Sequence, residues 1–348
     1  MSSRGLWAAA GLELAYFSGL ARLAQFGSGG AGVILQFERV RPTRKDRFQP
    51  LRSHEITPQF LDRLLRALRR WDCAVVSQDE VLDRIARADI RGRFVCLTFD
   101  GGSRDLISYG HPVLARHGVP FTIYLPTAFP DGLGEAWWLA LEQVIAGNDR
   151  IALMIDNSER RFDTASTDDK YRVFHFLGTW LCALPPPDLA AAIRDLCARY
   201  GVDIAGLTSE AVMNWEEVAR LAADPHVTIG SATVNYPLLA NASDVVAHRE
   251  IAMGRAVLCA ALGRDAAHFA YPYGERGSFT PRDVKIVEEA GFASAVTAIP
   301  GVIHRRSPSQ PWMLPRIAWD GRRRSLRGLR VVLSGLMPGA AAQLGRRY

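Results

Sequence analysis

Residues 94–102 read Phe-Val-Cys-Leu-Thr-Phe-Asp-Gly-Gly. An apolar, β-rich run that stops at an acid and two glycines is the pattern of a buried parallel strand delivering a carboxylate to the rim of a sheet. A carboxylate so placed, Asp100, has the chemistry of a general base. The same Asp-Gly-Gly letters also suit an ordinary turn, in which the carboxylate only caps backbone groups. Two later segments have the same form. The run Val227 to Ile229 leads into Gly230-Ser231-Ala232-Thr233-Val234-Asn235-Tyr236-Pro237, and Phe269-Ala270-Tyr271 leads into Pro272-Tyr273-Gly274. Tyr271 and Tyr273 flank Pro272 at a strand end and offer aromatic faces to a ligand. With Asn235, Pro272 and Arg316 of Leu314-Pro315-Arg316-Ile317, they are the candidate substrate contacts.

These segments, in this order, resemble the motifs of the polysaccharide deacetylase family, the NodB-like carbohydrate esterases. Thr98-Phe99-Asp100-Gly101-Gly102 is similar to the family's Thr-Phe-Asp-Asp-Gly. The segment from Gly230 to Pro237 is similar to Gly-Ser/Ala-His-Thr-x-x-His-Pro. Phe269 to Gly274 matches the third motif, with Ala270 where many members carry arginine, and Leu314 to Ile317 resembles the close of the last barrel strand in one branch. The strand from Gly32 to Val40 is similar to one that usually carries His where this chain has Glu38.

The resemblance implies a fold and a reaction. The reaction is hydrolysis of N-acetyl groups on N-acetylglucosamine oligomers. A divalent metal such as zinc, held by one Asp and two His, lowers the pKa of its bound water from 15.7 towards about 7. A free Asp serves as base, a separate His as proton donor, and backbone donors near the Pro-Tyr-Gly turn hold the oxyanion. Asp100 stands at the base position. Gly101, Ala232 and Asn235 stand at the ligand positions and supply neither carboxylate nor imidazole, so no bound cofactor is expected. One remodelled arrangement is open: Glu38, Asp100 and Asn235 would form an oxygen-rich set suited to Mg²⁺ or Ca²⁺. None of the eight histidines stands at motif spacing. His111 and His117 belong to the helix after Asp100, His268 reads as a surface or capping residue, and His304 lies in a basic loop.

The elements that must position these residues alternate. Thr57-Pro58 starts a helix with Leu61, Leu64, Leu65 and Leu68 on one face. Ala74 to Val76 is a short strand, and Ser77 with Glu80 reads as a capping box. A helix near Leu106 to His117 and a strand from Phe121 to Leu125 follow Asp100. From about 131 to 215 the rhythm breaks into a mostly helical insertion containing Trp137-Trp138 and Pro185-Pro186-Pro187. Alternation then resumes, with helices near Trp215 to Ala222, Ser243 to Leu262 and after Thr280-Pro281, and strands near Val227, Phe269 and Ala293. The class is α/β, and the resemblance implies a distorted, incomplete (β/α) barrel of about seven parallel strands, whose chemistry sits at the C-terminal strand ends. The expected organisation is an amphipathic helix over 1–30, a single barrel domain over 31–321 and a basic segment over 322–348.

A chain of 348 residues can bury a large core, and 48% hydrophobic with 22% charged residues is ordinary for a globular protein. Its five cysteines form no Cys-x-x-Cys pair. They read as buried free thiols, which suits a cytoplasmic setting. No secretory signal is evident, and no window reaches the roughly 18 apolar residues of a membrane span. The formal charge of +6 is uneven: from Arg305 onward ten arginines face the one acid Asp320. That tail either packs on the barrel exterior or makes peripheral membrane contact. It has neither the interleaved aromatics nor the motifs of nucleic-acid binding. Three functions remain open: a deacetylase impaired by its missing ligands, a non-catalytic protein that binds a glycan or a partner, and a membrane-peripheral scaffold. The sequence leaves the oligomeric state open.

Overall fold

The structure is a computed structural model that describes residues 32–87, 93–156, 158–303, 310–323 and 325–333. The helix expected over 1–30 lies outside the described residues, as does His304.

Parallel strands form the frame. In spatial order they are β11 (Ser294–Val296), β10 (His268–Ala270), β9 (Val227–Ser231), β6 (Phe121–Leu125), β5 (Arg93–Asp100), β1 (Gly32–Phe37) and β12 (Ile317–Ala318). β4 (Cys73–Val76) pairs with the first half of β5, leaving the second half to β6. Short strands β2 (Arg39–Val40) and β3 (Glu55–Ile56) pair beside the rim. Pairing at the seam is sparse among the described residues: an isolated parallel bridge between Val296 and Leu314, an isolated antiparallel one between Gly32 and Ile303, and the two-residue β12 against Leu35 and Gln36. The expected incomplete (β/α) barrel of seven parallel strands is what the chain forms.

Period-two alternation sorts the strand residues into two layers. Val33, Leu35, Phe37, Val95, Leu97, Phe99, Phe121, Ile123, Leu125 and Ile229 pack outward under the helices. Ile34, Phe94, Cys96 and Tyr124 pack inward with Ala232, Ala270, Val296 and Leu314. Each large side chain so buried contributes about 1.5–3 kcal/mol. Helix α1 (Pro58–Arg70) begins where Thr57 accepts from the Phe60 amide at 3.1 Å, and buries Leu61, Leu64, Leu65 and Leu68. At α2 (Gln78–Ala86) only half of the expected capping box exists. Ser77 accepts from the Glu80 amide, while the Glu80 carboxylate takes Arg84 Nε at 2.8 Å, one helical turn on. After Asp100 a π-helical turn, Leu106–Gly110, leads into α3 (His111–His117).

The insertion has its own core and is less purely helical than its composition suggests. Between α4 (Trp137–Gly147) and α5 (Thr167–Ala183) lies an antiparallel hairpin of β7 (Arg150–Ile155) and β8 (Ser158–Asp163). Ile151, Leu153 and Ile155 point one way, into the core shared with α4, α5 and α6 (Pro186–Tyr200), while β8 is polar and exposed. Helices α7 (Ile204–Ala211) and α8 (Trp215–Ala222) return the chain to the barrel. After α9 (Asp244–Leu262) and α10 (Pro281–Glu289), the described part of the arginine-rich segment forms α11 (Arg327–Leu333). Its Leu329, Val331, Val332 and Leu333 are buried in the main core, so these apolar residues are not free to meet a lipid surface.

Helix α9 (Asp244–Leu262) crosses close over the loop after β9, and Gly254 permits the approach. A Cβ there would stand 2.8 Å from the Thr233 carbonyl carbon and 2.9 Å from Ser231 Oγ. Gly254→Ala should therefore destabilise the fold by about 1–3 kcal/mol through overpacking, read as a lower midpoint in urea unfolding. An unchanged midpoint would show that helix and loop are not in close contact.

Candidate functional site

β5 ends at Asp100, which is only 3% exposed. Its carboxylate is clamped. Arg316 Nη1 and Nη2 donate to Oδ1 and Oδ2 at 2.7 and 2.8 Å, and Gln36 Nε2 donates to Oδ2 at 2.7 Å. Arg316, with no exposed surface, also donates from Nε to the Thr297 carbonyl at 2.8 Å and from Nη1 to Thr98 Oγ1 at 3.0 Å. Its guanidinium lies 5.5 Å over the Tyr124 ring. Burial works against the arginine's charge, but the Asp100 carboxylate outweighs it and holds the Arg316 pKa above its ordinary value. Burial likewise pushes the Tyr124 phenol well up. Both oxygens of Asp100 are thus occupied by charge-assisted or amide donors. A general base needs an oxygen within reach of the proton it removes.

The family ligand positions are built for packing and turning. Gly101 sits at φ +88°, a conformation that any side chain would strain. Ala232 is fully buried among Tyr124, Ala270 and Val296. Asn235 donates from Nδ2 to Glu250 Oε1 at 2.7 Å, while the amides of Asn235 and Val234 donate to Glu250 Oε2 at 2.8 and 3.0 Å. Glu38 pairs with His54 Nδ1 at 2.7 Å. Glu38, Asp100 and Asn235 are therefore each committed elsewhere, and the oxygen-rich set is not assembled. Among the described residues no group of three or more His, Cys, Asp or Glu side chains could hold an ion. The donors present do not fit the family's metal.

Other expectations are corrected by burial. Tyr271 is fully buried, stacked 4.2 Å from Phe279, with its hydroxyl donating to the Trp312 carbonyl at 3.0 Å. Its ring has no face left for a sugar. Arg316 is likewise spent inside, and Pro272 is buried. His268 is not on the surface. It lies buried at the start of β10, with Nδ1 2.9 Å from Ser294 Oγ and Nε2 3.0 Å from Asp79. His111 and His117 pair with Asp224 and Asp62 from the helix where they were expected.

What remains open at the barrel mouth is aromatic. Trp138, Tyr236 and Tyr273 are each partly exposed. Tyr236 lies 5.5 Å from Tyr273 and 6.1 Å from Trp138, and Trp137 Nε1 donates to the Tyr273 hydroxyl at 3.3 Å. Thr233, Tyr236 and Tyr273 all have positive φ, 69°, 60° and 60°. Such strain costs about 1–3 kcal/mol per residue and gathers at functional sites. Sequence reasoning missed Glu250. The available signal was a carboxylate on the helix face that also carries Ala247, Ile251, Gly254 and Leu258, all buried.

The fold and the order of the motif segments resemble those of a deacetylase-type barrel, and the comparisons point the same way. The family model for polysaccharide deacetylase matches residues 184–295, a stretch that holds the second and third motif segments. Over that stretch the chain is similar to polysaccharide deacetylases, in agreement with the resemblance read from the motifs. The Streptococcus pyogenes deacetylase PplD, solved with acetate, is 14% identical with a TM-score of 0.55, over 84% of this chain and 94% of that one. IcaB from Ammonifex degensii is 18% identical with a TM-score of 0.55, over 88% and 98%. The BpsB deacetylase domain from Bordetella bronchiseptica is 15% identical with a TM-score of 0.50, over 83% and 95%. At these identities the solved structures speak for the fold. No curated protein sequence matches significantly.

Removing one partner of a buried pair leaves the other charge uncompensated. Arg316→Met should cost about 3–5 kcal/mol of stability, and adding Asp100→Leu should restore part of the loss. Denaturant unfolding of the two single variants and the double variant checks this. Equal, additive losses would mean that the clamp is not a coupled unit.

Proposed function

We propose that the protein uses the deacetylase barrel to bind an N-acetylglucosamine-containing glycan at the mouth, without hydrolysing it by the family's metal-assisted route. The observation that carries this reading is the clamp on Asp100. The residue at the base position is buried, ion-paired with Arg316 and hydrogen-bonded by Gln36, and Gly101, Ala232 and Asn235 offer no ligand set beside it. Trp138, Tyr236 and Tyr273 keep partly exposed rings where a sugar face could rest. Sugar stacking needs no metal, so binding can outlast the loss of hydrolysis.

Purified protein should hold substoichiometric zinc, cobalt or nickel after dialysis, and should release no more acetate from chito-oligomers than an Asp100→Ala control does. Chito-oligomers of two to five units should bind weakly, on the order of 0.1–1 mM, with Tyr273→Ala reducing the affinity in ligand-observed NMR. Acetate release that a chelator abolishes, with one metal per chain, would instead establish a working deacetylase with a remodelled site.

A further inference from the structure

Two clefts meet at Arg47. The larger, about 750 Å³, runs between the β1–β2 rim and the insertion. Most of its cations are consumed: Arg39 by Asp105 at 2.6 Å, Arg44 by Glu142 at 2.9 Å and Arg104 by Glu217 at 3.1 Å. The smaller, about 360 Å³, is different. It is lined by Arg47, Gln49, Arg52, Tyr171 and Arg322, with no acid among them. Arg52 spends one donor on the neutral Gln49 amide at 3.1 Å. The nearby Asp320 caps the backbone amide of Arg322 and leans towards Arg323. The guanidinium groups of Arg47 and Arg322 have no acidic partner among the described residues.

The three arginines are brought together by a built scaffold. The Gln49 amide donates to the Tyr171 hydroxyl at 3.0 Å, that hydroxyl donates to the Arg47 carbonyl at 3.3 Å, and Gln49 Nε2 donates to the Arg44 carbonyl at 3.2 Å. A buried glutamine and a tyrosine of α5 thereby pin the loop that presents Arg47. On the opposite side the turn carrying Arg322 is fixed where the Gly321 amide donates to the Ser53 carbonyl at 2.8 Å. Only glycine fits there, because a Cβ would stand 1.8 Å from the Glu55 carbonyl oxygen. Holding three like charges around one hollow is unfavourable until an anion enters. The fixed backbone means that an anion would find its donors already in place.

We propose that this cleft is a binding site for the carboxylate or phosphoryl group of an acidic saccharide, separate from the aromatic mouth of the barrel. Its volume lies within the ~300–1,000 Å³ range of small-molecule sites. Its shape is a hollow, and Gln49 and Tyr171 add neutral hydrogen-bonding groups of the kind that sugar hydroxyls use. The anion site stands on the arginine geometry alone; the saccharide nature of the ligand rests on the glycan reading above.

The test titrates the intact chain with three probes: a hyaluronan hexasaccharide, neutral chitohexaose, and phosphatidylglycerol vesicles. The acidic hexasaccharide should bind about tenfold more tightly than chitohexaose at about 50 mM salt, and most of that advantage should vanish near 500 mM salt. Arg47→Gln with Arg322→Gln, two exposed side chains, should erase the advantage while leaving chitohexaose binding and the thermal midpoint unchanged. Tyr273→Ala should do the reverse. An unmutated protein that binds the acidic hexasaccharide but not chitohexaose supports this site and sinks the mouth reading. An acidic preference that survives the double variant overturns the site. So does the absence of any preference, and so does binding to the vesicles but not to the hexasaccharide.

Discussion

The barrel hangs together on the buried pair of Asp100 and Arg316. Ladder pairing closes this ring poorly: β12 contributes two residues and β11 meets the next segment through a single bridge. Arg316 stands at that weak seam. Its Nε holds the carbonyl of Thr297, just past β11, its Nη1 holds Thr98 of β5, and its fork grips the end of β5. Thr98 in turn donates to Leu35 of β1 at 2.8 Å. One side chain thus ties three strands across the gap that hydrogen-bonded ladders leave. A buried ion pair is favourable only when its geometry is good and its remaining donors are satisfied. All three nitrogens of this guanidinium are in use.

The same contact decides what the mouth can do chemically. The interior around Arg316 is made of small or apolar residues, including Ala232, Ala270 and Val296, with the Tyr124 ring at cation–π distance. The small side chains of Ala232 and Ala270 and the guanidinium of Arg316 are all buried there. Low dielectric then strengthens the pair. The carboxylate of Asp100 and the space around it are therefore taken up by one arrangement, with the positive charge supplied by a buried arginine.

Much of the architecture was legible because it rests on local signals. Apolar runs of three to six residues marked the strands, and Thr57-Pro58, Ser243 and Thr280-Pro281 marked helix starts through capping chemistry that the structure repeats. The hairpin of β7 and β8 was overlooked because only one of its strands has a buried face. Residue roles at the site were harder. Asp100 and Arg316 are 216 positions apart, and no periodicity reveals such a pairing. Tyr271 and His268 were misplaced for the same reason: Trp312 and Phe279 bury the first, and Ser294 and Asp79 engage the second, all partners from other elements. A motif fixes where a residue stands on a strand, but not which neighbour claims it.

The insertion explains how one barrel could present two kinds of surface. Its α4 sets Trp137 against the Tyr273 hydroxyl and Trp138 beside Tyr236, narrowing the mouth with aromatic rings. Its α5 sets Tyr171 against the loop of Arg47 and Gln49. Both helices share a core through Leu141, Val144, Phe174 and Leu177, which also takes in Phe48 and Leu51 of the arginine loop. Close-packed cores transmit displacement instead of absorbing it. The aromatic wall and the arginine hollow are therefore held in fixed relation by one hydrophobic unit, a condition under which a chain bearing both neutral and acidic sugars would gain from engaging them together.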